Sequence, residues 1–284
     1  MNVNKIAIIG LGLIGGSLAL AIKQAGFKGE VTGIGRREDT LIRAKEIGMI
    51  DTFSTNHADG INDADLVVLA SPIGQFEEIA KNIKHNLKTG SIVTDVGSVK
   101  TTIVKKLDAI MPQGVSFVGA HPIAGKECSG IDASNGELFR NAKCIITPSH
   151  KSADHAIEEV IRLWESVGAV ILHMSPENHD LIFAAVSHLP HVIAYATINT
   201  IMEVNPNILH FGGTGLKDMS RIALSPANLW RDICAYNKDD ILKVLKKFSS
   251  SISNMIDLFE ESDWSGLEKE FIRAQKARNL IESD

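Results

Sequence analysis

The chain has 284 residues, 44% of them hydrophobic, and a formal net charge of −5 with acids and bases intermixed. That length fits roughly two domains, each able to bury a core, and the lack of a basic stripe excludes nucleic acid and anionic membranes as expected partners. Three scattered cysteines, Cys128, Cys144 and Cys234, form no CxxC pair, so neither a disulfide framework nor a zinc site is expected and a reducing compartment is.

Met1 leads almost at once into the first predicted strand, with no signal peptide before it. No apolar run is read as reaching the roughly 18 residues of a membrane span, so a cytoplasmic protein is expected. Apolar, largely β-branched runs at 5–9, 31–34, 66–70, 91–94, 115–119, 143–147 and 170–173 read as strands covered on both faces. Helical patterns at 17–25, 40–47, 76–86, 101–111 and 152–167 alternate with them, the order of a doubly wound sheet.

After His173 the strand signals stop. Ser175-Pro176 reads as an N-cap with proline at the first helical position, and 177–204 is then largely apolar, interrupted only by Pro190. Ser225-Pro226 opens another helix, and 239–261 and 264–281 read as two more. The expected fold is therefore α/β: a Rossmann-type doubly wound, mostly parallel sheet over residues 1–174, followed by an all-α helical domain over 175–284. The helix at 177–204 is apolar around most of its circumference, which requires burial on every side. Pairing with a second copy supplies that, so a homodimer through the helical domain is expected.

Gly10-Leu11-Gly12-Leu13-Ile14-Gly15 follows the first strand and opens the first helix. Glycines there allow a tight turn and close approach of backbone to pyrophosphate, with the helix N-terminus facing the negative phosphates. Gly10, Gly12, Leu13, Ile14 and Gly15 are the expected dinucleotide cradle, with Ser71 and Pro72 beyond the third predicted strand. An NAD enzyme places Asp or Glu at the end of the second strand, whereas this chain has Gly33-Ile34-Gly35-Arg36-Arg37. A guanidinium pairs with a 2′-phosphate that a carboxylate would repel, so Arg36 and Arg37 favour NADP over NAD. The competing reading is a solvated basic turn beside Glu38 and Asp39.

His121 stands in Gly119-Ala120-His121-Pro122-Ile123-Ala124-Gly125, at the mouth of the fifth predicted strand. It is expected on a stiff loop beside the cofactor crevice, where a catalytic acid or base belongs. Ser98, in Asp95-Val96-Gly97-Ser98-Val99-Lys100, shares that rim, either in catalysis or as a helix cap. Ser187-His188-Leu189-Pro190-His191 sets two histidines three apart, but no third metal ligand stands at a recognisable spacing. Lys217 and Arg221 lie one helical turn apart, fit either to clamp a carboxylate or to pair on the surface.

Taken together, the glycine loop, 95–100, 119–130, 187–191, 217–221 and Leu229-Trp230-Arg231-Asp232 resemble, in order and spacing, the prephenate dehydrogenase family. That family includes the arogenate and cyclohexadienyl dehydrogenases of tyrosine biosynthesis, and the likeness covers essentially the whole chain. With no chorismate mutase segment before the sheet and no regulatory domain after Ile281, the chain resembles the monofunctional form. The resemblance implies that His121 is the catalytic histidine, bonded to the ring hydroxyl of the substrate, and that Ser98 helps orient both. It implies substrate contacts for His191, His188, Arg221, Lys217 and Trp230, and an acidic residue, Glu127, near the site entrance. The implied reaction removes hydride from the hydroxyl carbon, after which carbon dioxide leaves and the ring becomes aromatic. The alternatives are a β-hydroxyacid dehydrogenase or imine reductase of similar two-domain fold, which commonly use a lysine from the helical domain, and a nucleotide-sensing protein without turnover.

Overall fold

The computed structural model describes residues 1–125 and 130–281. They form two compact units parted after Lys238. The first unit begins β1 (Lys5–Ile9), α1 (Leu13–Gln24), β2 (Glu30–Ile34), α2 (Glu38–Glu46), β3 (Thr52–Ser54), α3 (His57–Gly60) and β4 (Leu66–Leu69). It continues α4 (Phe76–Ile83), β5 (Ile92–Asp95), α5 (Thr101–Ile110), β6 (Ser116–Pro122), β7 (Lys143–Thr147), α6 (Asp154–Ser166) and β8 (Val170–His173). Helices α7 (Pro176–Phe183), α8 (Leu189–Val204), α9 (Thr214–Ser220) and α10 (Ala227–Tyr236) follow. The second unit is built of α11 (Lys238–Glu260) and α12 (Trp264–Arg278).

The eight strands form one sheet in the order β3-β2-β1-β4-β5-β6-β7-β8. The first six are parallel, in the order of a dinucleotide-binding doubly wound sheet. Period-two alternation sorts each central strand between two cores. Ile6 and Ile8 of β1 join Leu18 and Ile22 of α1 and Leu163 and Trp164 of α6 on one face. Ala7 and Ile9 join Phe76 and Ile79 of α4 and Ile103 and Leu107 of α5 on the other. Each fully buried Ile, Leu or Phe contributes about 1.5–3 kcal/mol, which explains why these strands read as unbroken apolar runs.

β6 changes partner midway. Ser116 to Val118 pair in parallel with β5, whereas Gly119 to Pro122 pair antiparallel with β7. Gly119 sits at the change, where a Cβ would come within 2.5 Å of Thr147 Oγ1. His121 therefore lies on a strand, opposite Ile145, and not on the loop expected from the proline. Beyond Val118 the β5 side of β6 carries no strand, so Pro122 occupies a local edge where its missing N–H is tolerated.

Two further expectations are corrected. β3 was not anticipated, because three residues with exposed Thr52 at the outer edge carry little apolar signal. The helical run from Pro176 to Val204 is continuous over 29 residues, and an 18-residue window within it has mean hydropathy 1.6, so the run is long and apolar enough by length and composition to cross a membrane. Pro190 does not break it. A π-helical turn at Ala184–His188 widens the coil before the proline, relieving the ring's clash with the carbonyl four residues back. Nor is this run buried on every side: Leu181, Ile182, Val186 and Val204 are exposed, Val186 at 65%. Its inward face carries His179, Asp180 and His188, all buried.

Candidate active site

The glycine loop forms one wall of a cavity of about 560 Å³ at the carboxyl ends of β1, β2 and β4. Gly10 has φ +105°, and a Cβ there would strike the backbone of Ala70 and Ser71 within 2.7 Å. At Gly15 a Cβ would lie 2.0 Å from the Gly10 carbonyl, so helix and loop pack backbone to backbone. Gly12 is the N-cap of α1 without a side-chain cap, and its Cα faces open space. The N–H groups of Leu13, Ile14 and Gly15 precede the first intrahelical donor, Gly16, and remain available to an anion.

Gly10, Gly12, Arg36, Arg37, Ser71 and Pro72 all line this cavity, together with Leu11 and Gly35 of the quoted motifs and with Thr40, His57 and Gln75, for which no cofactor contact was expected. Ser71 Oγ is buried with no protein partner, as a hydroxyl kept for a ligand would be. These residues fit a dinucleotide: a glycine cradle, a helix terminus, an unpaired hydroxyl and two guanidiniums. Burial holds the His57 imidazole below its usual range, against the pull of Glu78 and with the push of Arg36.

Farther along the rim, His121 is 8% exposed and sits among His179 and Phe183 of α7, ring centroids 5.0 and 4.9 Å away. Its Nδ1 lies 2.8 Å from His179 Nε2, and His179 Nδ1 lies 2.8 Å from Asp180 Oδ1. Asp180 also accepts the backbone N–H groups of Lys100 and Thr101, each at 2.8 Å, at the start of α5. Those bonds keep its carboxyl below the usual range despite burial, so it is an anion near neutrality.

The protonation pattern follows from that anion. Asp180 only accepts, so His179 donates from Nδ1 and its Nε2 carries a lone pair. That lone pair accepts from His121 Nδ1–H, leaving the lone pair of neutral His121 on Nε2. Burial first, then the neighbouring His179, Lys100 and His188, hold His121 well below its usual pKa and therefore neutral. An oriented, uncharged imidazole is the form needed to take up a proton.

The structure gathers three of the six predicted substrate residues nearby: His188, His191 and Trp230. His188 is fully buried, accepts from Asn237 Nδ2 at 3.2 Å, and lies beside the backbone of half-buried Ser98; burial pushes it down to about 4. His191 stacks on Trp230 with centroids 3.7 Å apart, donating from Nδ1 to the Ser187 carbonyl at 2.8 Å. The contact that orients His121 is to His179, with Ser98 placed against His188 instead. Lys217 on α9 and Arg221 in the following turn are exposed, on a segment packed against α8. Glu127 lies outside the described residues. His179 and Asp180 were missed: the string Pro-Glu-Asn-His-Asp reads as an ordinary polar helix start, and only the sheet brings it to His121.

A glycine-loop crevice with a neutral, carboxylate-oriented imidazole on the same rim defines a nicotinamide-dinucleotide-dependent dehydrogenase. The chain belongs to the prephenate dehydrogenase family: residues 18–173 match that family's nucleotide-binding domain and residues 175–273 its dimerization domain. It is 35% identical to the prephenate dehydrogenase of Bacillus subtilis strain 168 over 97% of this chain and 76% of that protein. It is 34% identical to the cyclohexadienyl dehydrogenase of Zymomonas mobilis over 98% and 96% of the two chains. The prephenate dehydrogenase of Aquifex aeolicus, solved with hydroxyphenyl propionate and NAD+, superposes with a TM-score of 0.93 at 36% identity, covering 99% of each chain. The β-hydroxyacid dehydrogenase and imine reductase alternatives give way to this assignment.

Proposed function

We propose that the chain oxidises prephenate, or its amino counterpart L-arogenate, to 4-hydroxyphenylpyruvate or tyrosine with loss of carbon dioxide. The observation that carries this reading is the Asp180–His179–His121 chain, which leaves the His121 Nε2 lone pair as the proton acceptor. The dinucleotide, when bound, supplies the hydride acceptor. His121 takes the ring hydroxyl proton as the C–H bond breaks, so the new carbonyl forms without charge building on oxygen. The resulting keto acid loses its ring carboxylate as carbon dioxide, and aromatisation makes the sequence irreversible. His188, His191, Trp230 and Ser98 shape the ring pocket, and Lys217 and Arg221 meet the substrate carboxylates. The protein acts as a cytoplasmic homodimer, joined through the helical segment at 175–284 that follows the nucleotide domain at 1–174. The exposed apolar side chains of the Pro176–Val204 run give that segment a surface to cover.

A matrix of initial rates, prephenate and L-arogenate against NAD and NADP, tests the reading at the nicotinamide absorbance band. Turnover of simple 2-hydroxy acids with neither cyclohexadiene oxidised overturns it. NADP is the favoured coenzyme because Arg36 and Arg37 line the cavity where β2 ends, with no carboxylate in that turn. Replacing both arginines by alanine is expected to raise KM for NADP roughly tenfold or more, the strength of a charge-assisted pair at an exposed site, with NAD little affected. Equal losses for the two coenzymes would remove the 2′-phosphate role.

A further inference from the structure

We propose that the buried Asp95–Lys100 ion pair is the positioning device for His121. Both side chains are fully buried, and they grip the one peptide residue that precedes the histidine. Asp95 Oδ1 accepts the Ala120 N–H at 3.1 Å, and Lys100 Nζ donates to the Ala120 carbonyl at 2.8 Å. β5 and β6 stop pairing at Thr94 and Val118, so two side chains replace the missing rungs of the ladder two residues farther on. Asp95 Oδ2, which pairs with the Lys100 ammonium, also accepts Gly97 N–H at 2.8 Å and so fixes the loop carrying Ser98.

Lys100 does more than hold the strand. Its backbone N–H donates to Asp180 Oδ1, while its ammonium holds Ala120. One residue thus sets both ends of the Asp180–His179–His121 chain relative to each other. Its charge also acts on the base. The groups facing His121 are His179 and His188 from the helical run, Lys100 from the β5–α5 loop, and Cys144 on β7 across from Pro122, with Asp180 and Asp95 behind them. Among these Lys100 is the fixed cation, and it opposes protonation of His121.

The inference rests on His121 being the base. Lys100→Met keeps the length of the side chain and removes its charge and donors. It is expected to lower kcat about 10–100-fold, the effect of a small misplacement of a catalytic group, with reduced-coenzyme affinity unchanged by fluorescence titration. The acid limb of kcat/KM is expected to move up by about one pH unit, because a like charge has gone. Should the unpaired Asp95 prevent folding, Asp95→Asn with Lys100→Met removes both charges and carries the same expectation. A folded variant with wild-type kcat, or with lowered kcat and an unmoved acid limb, overturns the proposal; the latter marks a merely structural pair. Failure of the base itself is separate: His121→Asn would then retain the acid limb.

Discussion

His121→Asn is expected to lower kcat by roughly 10²–10⁴, the usual contribution of a positioned base, with little change in KM for coenzyme or acid. Asparagine is close in size and keeps a donor toward His179 Nε2, so the pocket survives while the proton acceptor is lost. The pH profile gives the sharper reading. The base works when deprotonated, and its pKa is held well below 6.5 by burial and by neighbouring His179 and Lys100. Wild-type kcat/KM is therefore expected to stay level as pH falls through 6.5, where a solvated histidine would already have lost half its activity. Near-normal kcat in the variant, or a wild-type midpoint at 6.5, would refute the assignment.

Asp180→Asn should come second in size, by a different route. The carboxylate accepts three hydrogen bonds, from His179 Nδ1, Lys100 N and Thr101 N. An amide has one accepting oxygen, so at least one buried donor loses its partner. If the NH2 faces His179, that ring must present its Nδ1 lone pair and move its proton to Nε2. His179 then donates to His121 Nδ1, and the proton of His121 shifts to Nε2, the atom that has to be bare. A loss of roughly 10²–10⁴ in kcat is expected from the wrong tautomer, comparable to the same exchange in other carboxylate–histidine pairs. A stability loss of about 1–3 kcal/mol accompanies the orphaned donor, measurable as a lower Tm. Wild-type kcat in folded Asp180→Asn would show that the relay does not set the tautomer.

The legible and illegible parts of this chain divide along a physical line. Gly10, Gly12 and Gly15 were readable because each is demanded by local backbone approach, which sequence spacing records. β1 and β4 were readable because burial on both faces leaves no polar residue in their middles. His121 was found, but its setting was misjudged. Pro122 reads as a turn, whereas the strand's change of partner is a long-range property. Asp95 and Lys100 were given no role of their own, and His179 and Asp180 escaped notice, for the same reason. Each is an unremarkable polar residue until β5, β6 and α7 meet and close it off from water. The apolar run at Pro176–Val204 was overestimated in burial because hydropathy records how much surface wants covering, not what covers it.

The imidazoles packed around the site have a thermodynamic consequence for the whole protein. His121, His179, His188 and His191 all have depressed proton affinity, with burial the largest cause in each. Released on unfolding, each ring regains the affinity of a free histidine, so the denatured ensemble takes up protons that the native state refuses. Acidification below about pH 6.5 therefore favours the denatured ensemble, and does so until each ring's native pKa is passed. For His188 alone, held at about 4, the swing is of order 3 kcal/mol between those limits. Melting temperature is expected to fall steeply from pH 7 to pH 5, and a flat curve there would show the rings to be hydrated. A centre built to stay basic makes its own scaffold acid-labile.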